Sequence, residues 1–141
     1  YVLHMLRYLI GDENFFEILN EFPHIKKELP NNQVSSNDFI EFVHKKHGKN
    51  IDWFFKVYLF EKEYPLLIQK TKHGSNHTFI EFRWKNKNFE MPVDVFYNSN
   101  TGLRQRRLSL TNKPTMIAIP QYNKIKIDPE KRVLLTTYEE K

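Results

Sequence analysis

The chain has 141 residues, of which 40% are hydrophobic and 15% aromatic, enough to bury the core of one ordinary domain or two small ones and too apolar for a disordered tail. It contains no cysteine, which excludes disulfides, thiolate chemistry and cysteine-based zinc sites and suits the cytoplasm and a bacterial periplasm equally. Lys and Arg exceed Asp and Glu by 22 to 17, a net charge of +5 that mildly favours acidic partners, and no apolar run approaches the roughly 20 residues needed to span a bilayer.

Residues 1–70 carry helical periodicity. Leu3, Leu6, Leu9 and Ile10 repeat at helical spacing from the very start, with no Ser, Thr, Asp or Asn ahead of Val2 to cap the first turn. Gly11 interrupts this pattern, and Asp12 is a candidate cap for a second helix in which Phe15, Ile18, Leu19 and Phe22 form one apolar stripe before Pro23. Pro30, Asn31 and Asn32 mark a loop. Ser35, Ser36 and Asn37 are cap candidates for a third helix, with Phe39, Phe42 and Val43 on one face and Gly48 as its stop. A short fourth helix spans NIDWFFKVYLF, with Phe54, Phe55, Tyr58 and Leu59 as its predicted buried side, and its aromatic density implies packing against a partner helix.

From Asn76 onward the period changes to two. Ile80, Phe82 and Trp84 alternate with Glu81, Arg83 and Lys85, a half-buried strand. Phe89, Met91, Val93 and Val95 share the apolar face of the next, where Pro92 predicts an edge position or a bulge. Asn86, Lys87 and Asn88 between them read as a hairpin turn. Further short runs in LRQRRLSL, TMIAI, NKIKI and RVLLTTY bring the predicted strands to six. The expected fold is therefore α+β: a helical part over 1–70, a linker over 71–75 and a small antiparallel β-sandwich over 76–141.

Few residues invite chemistry. His44 and His47 stand three apart on the third helix, but a metallopeptidase helix carries H-E-x-x-H, and here Lys45 and Lys46 lie between them. His73 and His77 fall in or beside the linker without a third partner, and His4 reads as a packing residue. Ser35, Ser36, Ser75, Ser99 and Ser109 sit in no activated setting, and Gly11, Gly48, Gly74 and Gly102 are too scattered to form a phosphate loop. Glu139 and Glu140 belong to a charged tail. Arg104 and Arg106 would share one face of a strand without an interleaved aromatic, which favours a solvated face over nucleic-acid binding. No catalytic or metal residue is assigned within the chain, and its substrate-binding residues stay unassigned.

Taken in order, Val2-Leu3-His4-Met5-Leu6-Arg7, Gly11-Asp12, Phe15-Phe16, Asp38-Phe39, Asp52-Trp53-Phe54-Phe55 and Tyr64-Pro65 resemble the gluzincin-class zinc aminopeptidases, the aminopeptidase N-like family. FRWKNKNFEMPVDV and IKIDPEKRVLL resemble the β-sandwich that follows the catalytic domain in that family. Tyr58 departs from the pattern, which commonly has Trp there.

The resemblance implies a C-terminal portion of such a peptidase: the closing helices of the catalytic domain, then an accessory sandwich. It places H-E-x-x-H, the distant Glu ligand and a catalytic Tyr upstream of Tyr1, so Tyr1 is not that tyrosine. Zinc peptide hydrolysis needs a metal to activate water, a Glu to move the proton and donors for the oxyanion, and none of these groups lies in the chain. The implied cofactor is none here and zinc in the parent protein. Implied partners are the missing catalytic portion and, for the parent, a peptide substrate. No nucleic-acid partner or membrane segment is expected, and apolar area left on the helices would promote self-association beyond the ~300–600 Å² patch usual on a monomer. The alternatives are a non-enzymatic sandwich interaction module and the tail of a catalytically inactive relative.

Overall fold

The computed structural model describes residues 1–28, 33–121 and 124–140. The predicted loop at Pro30, Asn31 and Asn32 and the first residue of the NKIKI run lie outside these. The chain divides into two compact units, Tyr1–Leu59 and Phe60–Lys141.

The first unit is helical: α1 (Val2–Ile10), α2 (Asp12–Glu21), a 3-10 segment (Phe22–Glu28), α3 (Ser36–His47), α4 (Asp52–Phe55) and a π-helical turn (Lys56–Phe60) that ends at the unit boundary. Met5, Leu6, Ile18, Val43 and Phe54 are fully buried and form its core. Edge-to-face rings join the elements, with Phe22 and Phe39 centroids 4.9 Å apart and Phe39 and Phe55 6.4 Å apart. This is the packing that the aromatic density of the fourth helix implied.

Two apolar positions face outward against expectation. Leu3 and Leu19 are 49% and 39% exposed, so the buried stripes of α1 and α2 are narrower than the repeats suggested. The last turn departs for a specific reason. Its π geometry widens the residue spacing, so Val57 turns inward and Leu59, predicted to be buried, is 45% exposed.

The second unit is a sandwich of a four-stranded sheet, order β5-β2-β1-β7, and a three-stranded sheet, order β4-β3-β6. Its strands are β1 (Leu66–His73), β2 (His77–Trp84), β3 (Val93–Ser99), β4 (Gly102–Leu108), β5 (Thr115–Pro120), β6 (Ile125–Ile127) and β7 (Thr136–Glu140). Every pairing is antiparallel except β1 with β7, which run parallel. The α+β order of helices followed by a small, mostly antiparallel sandwich is the fold the sequence predicts.

Three details correct the reading of this half. Residues 66–73, expected to close the helical part and open the linker, form β1 at the centre of a sheet, and the chain divides near residue 60. Pro65 explains this, because it disfavours helix at Tyr64 and breaks the pattern just before Leu66. The stretch Asn86–Asn88 is not a hairpin turn, since β2 pairs with β1 and β5 while β3 pairs with β4 and β6. Residues 85–92 instead cross from one sheet to the other, with Asn88 at φ 56° and the buried Phe89 and Met91 packed inward. A hairpin and a sandwich crossover share the same alternation, so periodicity could not separate them. Pro92 stands just before β3, where its missing N–H costs no ladder bond, and β3 is the central strand of its sheet rather than an edge.

Tight hairpins join β1 to β2, where the Gly74 N–H donates to the His77 carbonyl at 2.8 Å, and β3 to β4. Ser99 pairs with Gly102 across a two-residue loop, and Gly102 takes φ 110°, a value that L side chains rarely adopt.

Candidate functional site

The charged members of the ordered motifs are occupied in holding helix ends. Gly11 at φ 87° joins α1 to α2, and across that corner the Arg7 guanidinium donates two hydrogen bonds to Asp12, 2.8 Å to Oδ1 and 2.7 Å to Oδ2. Asp12 was a candidate cap, yet the N-cap position is Gly11 and Asp12 is the first helical residue, with both of its oxygens accepting from Arg7. The side-chain bond to Asp12 holds the Arg7 pKa above its ordinary value, and Arg7 also lies 4.8 Å over the Phe16 ring.

At α3 the predicted cap is Ser35. Its Oγ accepts from the Asp38 N–H at 3.2 Å while an Asp38 oxygen accepts from the Ser35 N–H at 2.7 Å, a capping box. Hydrogen bonds from the Ser35 side chain and backbone lower the Asp38 pKa. Gly48, φ 70°, ends the helix in the left-handed conformation as its position predicts. Before α4, the Asn50 Oδ1 accepts from the Asp52 N–H at 2.8 Å.

The histidines do not converge on a common point. His44 Nε2 lies 3.4 Å from Asp52 Oδ1 without hydrogen-bond alignment, and the His44 ring stands edge-on to Phe55 at 6.0 Å. Burial is the main cause of a lowered His47 pKa, aided by Lys49 and His44. Of the lysines between them, Lys46 is drawn away into ion pairs with Glu17, at 2.9 Å, and Glu21. His4 is exposed beside Tyr1, and His73, on β1 rather than in a linker, shares a 3.2 Å contact with the Thr78 hydroxyl. Among the described residues no three His, Cys, Asp or Glu side chains are placed to hold a metal ion, so the residues present do not fit zinc. Among the described residues no helix is long and apolar enough to cross a membrane.

Each unit carries a hollow. In the helical unit, Val2, Leu3, Phe22, Phe39, Phe55 and Leu59 help line an apolar groove of about 400 Å³. In the sandwich unit, Glu61, Lys62, Glu63, Tyr64, Lys85 and Asn86 help line an open polar pocket of about 560 Å³. Its inner frame is fixed by backbone bonds, with Asn86 Oδ1 accepting from the Leu66 N–H at 3.1 Å and the Thr136 N–H donating to Pro65 at 2.9 Å. At the groove the Ser35 hydroxyl donates to Asp38 Oδ2 at 2.6 Å, within the capping box of α3.

The sequence reading missed one cluster. Asp94, 3% exposed, and Asp128, 9% exposed, are neighbours across β3 and the end of β6, where the Asp128 N–H donates to the Asp94 carbonyl at 2.8 Å. Asp128 (φ 43°) accepts from the Arg132 and Val133 N–H groups, each at 2.9 Å, and so closes the turn after β6. Asp94 Oδ2 accepts from Gln105 at 3.3 Å, while Oδ1 has no hydrogen-bond partner among the described residues. Burial raises the Asp128 pKa against those two backbone donors, and the Asp94 charge adds to the rise. The alternation of β3 placed Asp94 on the polar side, which ordinarily faces water. Nothing in the local pattern signals that this side is covered.

Comparison with protein-family models and with curated proteins gives no match to this chain.

Proposed function

We propose that this chain is the supporting C-terminal part of a zinc aminopeptidase-like protein: closing helices of a catalytic domain and an accessory sandwich, with metal and proton transfer supplied by residues outside these 141. One observation carries the reading. The charged residues of the ordered motifs, Arg7 with Asp12, Asp38 with the neighbouring Ser35 and Asp52 with the neighbouring Asn50, are engaged in fixing helix corners and starts. Those are roles in placing helices, and each of the three carboxylates among them accepts such a bond. The order of helices before sandwich also agrees with the family pattern.

The test has two parts. The isolated chain, supplied with zinc and aminoacyl chromogenic substrates, gives no turnover; turnover that a chelator abolishes overturns the proposal. The coding sequence upstream of Tyr1 carries H-E-x-x-H, a later Glu and Tyr-x-Lys-Gly. Non-ligating residues in those places point instead to an inactive relative.

A further inference from the structure

We infer that the free edge of β4 is a docking edge for an acidic, extended peptide segment that adds to the sheet as a further strand. Among the described residues β4 pairs only with β3, so its other edge offers alternating backbone N–H and C=O groups. Residues 102–107 are all exposed. In the ladder Arg104 stands opposite Tyr97 and Arg106 opposite Val95, which places both guanidinium groups on one face, two residues apart. Arg104 is steadied by neutral hydroxyls, donating to Thr101 Oγ1 at 2.7 Å and Ser99 Oγ at 3.4 Å. Arg106 has no side-chain partner among the described residues.

This charge pattern selects the occupant. Two copies of β4 pairing antiparallel about Gln105 would set Arg104 against Arg106, and like charges directly opposed across a ladder are destabilising. The same spacing favours a strand with carboxylates at alternate positions. A nucleic acid fits less well. Gln105 separates the two arginines and Leu103 precedes them, so β4 interleaves no aromatic with its charges, and a phosphate backbone accepts hydrogen bonds but cannot answer the edge carbonyls. The inference stands on the sandwich unit and does not depend on the peptidase proposal.

The experiment titrates the full 141-residue chain, labelled for amide NMR, with a short acetylated peptide of alternating Glu and Thr. Controls are the same peptide with alternate backbone nitrogens methylated, an alternating Lys-Thr peptide and a single-stranded oligothymidylate. Saturable shifts in the amides of β4 and its flanks are expected, with binding weakened about tenfold by methylation, which removes strand hydrogen bonds without altering charge. The double variant R104E/R106E is expected to lose about tenfold for the Glu peptide and to gain affinity for the Lys peptide. R104Q/R106Q, which retains the exposed polar edge, shows the loss without the gain and guards against misfolding of the reversal. Equal binding of the methylated peptide, tighter binding of the oligothymidylate, or unchanged affinity in both double variants overturns the inference.

Discussion

Replacing Trp84 with Phe tests the joint between the two sheets. Trp84 ends β2 in one sheet, is fully buried, and donates its indole N–H to the Met91 carbonyl at 2.9 Å, two residues before β3 begins in the other. Its ring also meets Phe89 edge-on at 4.9 Å, so the crossover 85–92 is pinned by an indole at one end and a phenyl within it. Phe keeps an aromatic ring but leaves the Met91 carbonyl buried without its donor, a loss of about 1–3 kcal/mol. The void left by the smaller ring adds about 1 kcal/mol, for a total of about 2–4 kcal/mol. With a urea slope of about 2 kcal/mol per molar, the unfolding midpoint of the sandwich falls by about 1–2 M. Sheet circular dichroism against urea measures this, and amide exchange locates it, with β2 and β3 losing protection together. A midpoint shift below about 0.3 M would show that the indole bond and its packing do not hold the crossover.

Other expectations follow from the caps and the buried acids. Ser35→Ala removes the side-chain cap of α3 and lowers the stability of the helical unit by about 1 kcal/mol, read from thermal melts. Gly48→Ala meets no atom within 4 Å but must hold φ 70°, so it costs about 1 kcal/mol in the same assay; a neutral result would mean the left-handed stop is not required. Because the Asp128 pKa is raised in the folded chain, the native state holds that proton more tightly than the unfolded one. The contribution of Asp128 to the stability of the sandwich is therefore fully present below the ordinary carboxylate range and is lost as pH rises through the raised value. Asp94→Asn removes the neighbouring charge and flattens that slope, measured as urea midpoints from mildly acid to neutral pH. Hydrogen bonding lowers the Glu17 and Asp38 pKa values, through Lys46 and Ser35 respectively, so the helical unit shows the opposite sign. Its contribution is present above the ordinary range and is lost as pH falls through the lowered values.

The sequence by itself determined the local elements, because local chemistry specifies them. The period of the apolar residues separated helices from strands, Ser35 and Gly48 marked both ends of α3, and Ile80, Phe82 and Trp84 lie buried in β2 as their alternation required. The tertiary structure alone decided which strands are partners. β1 presents Leu67 and Ile68 as adjacent buried residues without alternation, β7 joins it in parallel from the far end of the unit, and Asn86 turns a corner rather than closing a hairpin. Each of these depends on pairing between residues distant in the chain, which no window of neighbouring residues records. The same holds for the buried acids. Asp94 looks like a solvent-facing residue within its own strand, and only the turn after β6, closing through Asp128, places a second carboxylate beside it away from water.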